Sequence, residues 1–162
     1  MIPSGDLSGT PKNILKATRI FCIALIAGIF IFAILSVIVN QFTGPFIEKK
    51  YGETNVFLWT LAIISSICIL IAIQKYRKSI IVLKSPDSLT DKLNQYRTAL
   101  VIYMALCEGP ALFSVIIFLL TGNFISFGFI VIMVGMMLVK LPTTKRVLKE
   151  LELNWQEQQQ LE

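Results

Sequence analysis

The sequence predicts an all-α integral membrane bundle of four transmembrane helices with amphipathic cytoplasmic helical extensions. Of its 162 residues, 55% are hydrophobic and only 15% charged, with a mean hydropathy of +0.72. Soluble domains keep about a quarter of their residues charged. The apolar residues gather into four segments, Ile20–Val39, Val56–Ile73, Ala99–Leu120 and Phe124–Val139. The lysines and arginines cluster at alternate junctions between these segments rather than on a polar domain of their own. That distribution fits membrane topology and argues against a nucleic-acid partner, despite the net charge of +5.

A bilayer core of ~30 Å takes ~20 helical residues at ~1.5 Å each. The first three segments meet this length, giving expected helices at 17–40, 55–76 and 88–121. The fourth meets it only if Asn123 and Leu141 extend it, giving 123–141. The first segment follows a basic approach (Lys12, Lys16, Arg19), but its apolar run is longer than a signal-peptide core. No A-x-A-like cleavage site follows it, so it is expected to remain as a helix behind a flexible arm, residues 1–16. No alternating apolar and polar pattern supports a β-barrel. All 162 residues therefore read as a single membrane domain.

Orientation follows from charge. Thirteen lysines and arginines fall on the arm, the second loop and the tail, against Lys49 and Lys50 alone in the first loop. The positive-inside rule places both termini and the long second loop in the cytoplasm, with a bacterial inner membrane as the expected setting. The first loop, with Gly44-Pro45 and Gly52, breaks any helix. Phe42, Phe46, Tyr51 and Trp59 lie at the depth of an aromatic belt. Only Thr121-Gly122-Asn123 separates the last two segments, so Gly122 is expected in a left-handed cap between antiparallel helices.

Two amphipathic stretches lie on the cytoplasmic side. Ser88-x-x-Asp91 resembles a capping box, and Leu89, Leu93, Tyr96 and Leu100 then share one helical face. In the tail, residues 142–162, Val147, Leu148, Leu151 and Trp155 make an apolar stripe beside Lys145, Arg146 and Lys149. This tail suits either an anionic lipid surface or docking on the protein's own loop.

Chemistry is sparse. The chain has no histidine, which removes the commonest general base, the usual haem ligand and most zinc sites. Cys22, Cys68 and Cys107 sit singly in apolar runs, without a C-x-x-C pair. No phosphate-binding or nucleophile motif occurs, and Met133, Met136 and Met137 read as packing residues. Neither catalysis nor a metal or other cofactor is expected.

The exception is Glu108, in "ALCEGPALFS", nine residues past Ala99 and twelve before Leu120. An ionised carboxylate at mid-bilayer costs ~2.5–3.5 kcal/mol on insertion scales. No lysine or arginine lies in any of the four apolar segments to pair with it. Its expected partners are hydroxyls, carbonyls, water or a transported ion. Pro110 lacks the N–H that would bond the Leu106 carbonyl. Tyr103 and Ser114 flank the acid along the helix, and Ser65 and Ser66 lie midway along the second. Ala105 and Gly109, like Gly128 and Gly135 on the fourth helix, offer small surfaces for close helix approach. A proton or cation site and a structural hydrogen-bond lock both remain open.

The stretch "RTALVIYMALCEGPALFSVIIFLL", from Arg97 to Leu120, resembles the ion-carrying helix of rotary ATP synthase c-type and V-type proteolipids. Arg97 precedes Glu108 by eleven residues, and Ala105-Leu106 stand before the acid, as in that family. The resemblance implies proton or cation carriage by Glu108. The family's glycine-rich partner helix has no counterpart in the second segment here, and Pro110 closely follows the acid. The function expected from the residues themselves is a non-catalytic accessory or structural subunit of a larger membrane assembly. Its partners would be the lipid bilayer and other membrane subunits or further copies of itself.

Overall fold

A computed structural model describes residues 11–47, 53–82 and 89–151. They form five helices, α1 (Pro11–Thr43), α2 (Glu53–Val82), α3 (Leu89–Thr121), α4 (Ile125–Val139) and α5 (Thr144–Glu150), with no strand among the described residues. Three helices are long and apolar enough to cross a membrane, and α4 is a shorter apolar helix. Ser88, and with it half of the expected capping box, lies outside the described residues, as does Trp155.

The helix ends differ from those expected. α1 starts at Pro11, six residues before position 17, and α2 continues six residues past 76. Proline suits a first helical position because its missing N–H would have no helical acceptor there. The stretch from Gln74 to Val82 holds no glycine or proline to stop α2. α4 instead ends two residues earlier than expected, at Val139, because Pro142 cannot continue it. At ~1.5 Å per residue α1, α2 and α3 are each ~45–50 Å long and α4 ~22 Å. The long helices therefore project past the end of α4, and α5 fills the space beneath it.

α3 is the hub. Half of its most apolar stretch is buried in the chain (50%), against 28% for α1 and 17% for α2. α1, α2 and α4 each pack on α3 and touch one another little. The inner face of α3 runs Leu93, Tyr96, Leu100, Met104, Cys107, Ala111 and Val115, the three- and four-residue spacing of a helical stripe. α1 meets it with Cys22, Ile26, Ile29 and Ala33, and α4 with Ile130, Met133, Val134 and Met137. The expected face Leu89, Leu93, Tyr96 and Leu100 is buried throughout.

The end opposite α5 is closed by backbone caps. Gly122 has φ +63° and its N–H donates to the Phe118 carbonyl at 2.7 Å, the left-handed cap expected for it. The Asn40 amide donates to the Phe118 and Leu119 carbonyls at 3.4 and 3.3 Å, satisfying groups that a helix end leaves without partners. The Ile47 N–H donates to the Leu120 carbonyl at 2.9 Å. Gly122→Ala is expected to cost ~1–2 kcal/mol, the penalty of the left-handed region for a residue with a Cβ. Gly28→Ala, mid-helix and with nothing within 4 Å of the added Cβ, is expected to be neutral or stabilising by up to ~1 kcal/mol. Unfolding of both variants in detergent checks the pair.

Candidate functional site

α3 runs unbroken through Pro110, which is itself buried. Glu108 is half-buried, whereas Ala105 and Gly109 are exposed. With Ile102 and Ile116 they form the outer stripe of α3, turned away from the chain's other helices. Among the described residues, Glu108 makes no hydrogen bond or ion pair. A Cβ at Gly109 would meet nothing within 4 Å. The close approach that Ala105 and Gly109 permit is not used among the described residues. The same holds at Gly128 and Gly135, where an added Cβ also meets nothing within 4 Å.

The hydroxyls expected near Glu108 do not gather there. Tyr103 lies five residues back and Ser114 six residues on, which puts both roughly 120–140° round the helix from Glu108 in the same direction. Both are buried on the inner side, and Ser114 donates to the Pro110 carbonyl at 2.9 Å. Ser66 is exposed and donates to the Ala62 carbonyl of its own helix at 2.7 Å. Ser65 is buried, with no hydrogen-bond partner among the described residues. Tyr103, Ser114 and Ser65 thus belong to the interior of the bundle, and Glu108 to its rim.

A second polar cluster, not expected from the sequence, sits at the α5 end. Glu150 accepts a hydrogen bond from the Tyr76 hydroxyl at 2.5 Å through Oε2. Its Oε1 takes Arg146 Nε at 3.2 Å and Lys140 Nζ at 3.4 Å. The Lys140 ammonium also stands over the Tyr76 ring, 4.3 Å from its centroid, a cation–π contact. The Tyr76 ring in turn packs against Tyr103 at 5.4 Å. Tyr96 is buried close by, its hydroxyl without a hydrogen-bond partner among the described residues. The one sequence signal for this cluster was the four-residue spacing of Arg146 and Glu150, since Tyr76 lies 74 residues from Glu150.

The described part of the tail, through Leu151, packs on the chain itself, and the rest of it lies outside the described residues. Val147 and Leu151 are buried in the core of the bundle, with Leu148 packed beside them. Arg146 faces Glu150 and Lys149 is exposed. α5 docks on the bundle end itself, and nothing is described of the Lys145 side chain.

Comparison of the chain with protein-family models, with curated proteins and with solved structures returns no match.

Proposed function

We propose that this protein is a polytopic integral membrane protein of four spans with both termini cytoplasmic. It serves as a non-catalytic subunit of a larger membrane assembly, and the outer stripe of α3 is its contact with another transmembrane helix. The observation that carries this reading is the position of Glu108. It is a mid-helix carboxyl on the rim of the bundle, without a partner among the described residues, beside two small exposed residues. In hydrocarbon a carboxyl facing lipid is costly, and the cost falls when a second helix supplies a donor. Ala105 and Gly109 let that helix approach. The partner is another membrane subunit or a second copy of this chain.

The test is the mass of the full chain after extraction in mild detergent. An assembly heavier than one 18.2 kDa chain is expected. Gly109→Leu and Glu108→Ala are expected to reduce it to the single chain, and Glu108→Gln, which keeps hydrogen-bonding capacity, to leave it assembled. A wild-type protein that runs as one chain with no companion overturns the reading. If Glu108→Gln assembles normally but abolishes pH- or ion-dependent flux, the carboxyl instead carries a proton or cation. Reporter fusions at residue 162 and near Gly52 test the orientation, and a non-cytoplasmic C-terminus overturns it.

A further inference from the structure

Because α2 and α4 both lean on α3 and touch each other little, a groove stays open between them. Its upper part, about 510 Å³, is lined by Ile73, Ile132, Gly135, Met136 and Val139, and reaches Tyr76, Arg77 and Lys140 at its lower end. A second hollow of about 360 Å³ shares Tyr76, Arg77 and Lys140 and continues past Ile80 and Ile81 to Glu150. The two form one amphiphilic channel, apolar towards the middle of the bundle and basic at its α5 end.

We propose that this groove binds an anionic glycerophospholipid, one acyl chain along Gly135 and Ile132 and the phosphate between Arg77 and Lys140. The charge balance selects the sign of the head group. Arg77, Lys140 and Arg146 stand here against the single carboxylate of Glu150, which already takes Arg146 and Lys140. Arg77 is exposed and makes no ion pair among the described residues, so its guanidinium is available to a phosphate. The Tyr76 hydroxyl is committed to Glu150, which leaves Arg77, with Lys140 shared between Glu150 and the phosphate, to recognise the head group. The place is also right for a lipid. The basic end of the apolar segments marks the interface, where pockets between transmembrane helices take anionic head groups. Gly135 keeps the apolar wall flat, since no side chain fills the space its Cβ would occupy. This inference rests on the membrane reading and is independent of any partner at Glu108.

The test uses the full chain in nanodiscs of phosphatidylcholine with or without phosphatidylglycerol, followed by native mass spectrometry of lipid that survives release. Wild type is expected to retain phosphatidylglycerol in preference to phosphatidylcholine. Arg77→Gln is expected to weaken that retention about fivefold, the factor one interfacial cation carries. Gly135→Leu is expected to abolish it by filling the apolar wall without touching the fold. Lys78→Gln, an exposed cation one residue along α2, is expected to leave retention unchanged. Equal retention of the two lipids by wild type overturns the proposal, as does undiminished retention in both Arg77→Gln and Gly135→Leu. A loss in Lys78→Gln equal to that in Arg77→Gln also overturns it, because surface charge alone would then explain binding. Failure of the membrane reading is separately visible as recovery of the chain in the supernatant of a carbonate wash.

Discussion

Val147→Asp is expected to release α5 from the bundle while leaving the long helices folded. Val147 is fully buried, and the substitution removes an apolar side chain worth ~1.5–3 kcal/mol on burial. It also introduces a carboxylate among apolar neighbours, for which the desolvation penalty is several kcal/mol unless a cation pairs with it. The nearby cations Arg146 and Lys140 are already held by Glu150. The whole penalty is not paid, because a helix of seven residues can undock instead. The cost is capped at the free energy that holds α5 in place. Limited trypsin digestion reads this directly, since Arg146 and Lys149 lie within α5. Cleavage there follows the population of the open form when opening is fast. A rise of ~10- to 100-fold is expected, corresponding to ~1.4–2.8 kcal/mol. Lys149→Gln, on the exposed side, is expected to leave Arg146 as protected as in wild type. An unchanged digest of Val147→Asp would show that α5 does not depend on its buried face.

What the sequence revealed and what it withheld divide along one physical line. Local signals were readable. Long apolar runs gave the helices, Gly122 gave the cap between α3 and α4, and the stripe Leu89, Leu93, Tyr96 and Leu100 gave the inner face of the polar end of α3. Past Ala99 that contrast disappears. On α3 nearly every position is apolar, so periodicity cannot say which side meets other helices and which meets lipid. Glu108 could therefore be placed in depth but not in direction, and Tyr103 and Ser114 were grouped with it by sequence although they face inwards. The limits of α1 and α2 were missed for a related reason. Hydropathy marks where a chain leaves the hydrocarbon, whereas a helix stops only where breakers or lost contacts stop it. The Tyr76–Glu150 contact joins residues 74 apart, and no spacing rule reaches that far.

Phe118→Ala is expected to be among the most damaging single changes in the bundle, at ~3 kcal/mol. Phe118 is buried on α3, and its ring meets Phe127 edge-on at 4.6 Å and Phe124 at 5.1 Å. In water the loss would include the transfer of a large apolar side chain, but lipid tails are as apolar as the protein interior. What remains is packing: the cavity left behind and the two lost ring contacts, each worth ~0.5–1.5 kcal/mol. The site cannot easily collapse, because the Phe118 carbonyl accepts from both Gly122 N–H and the Asn40 amide, which holds the backbone in place. Phe124→Ala provides the contrast. Its ring is 69% exposed and shares the contact with Phe118, so only that ring contact and part of the one to Phe127 are lost, at a cost of ~1 kcal/mol. Phe30→Ala, on the outer face of α1 and 50% exposed, is expected to cost less than ~0.5 kcal/mol, because lipid replaces the lost contacts. Unfolding free energies of the three variants in mixed micelles give the ranking. If Phe30→Ala costs as much as Phe118→Ala, stability in this bundle comes from apolar area rather than from helix packing, and the outer face of α1 would itself be buried against another protein.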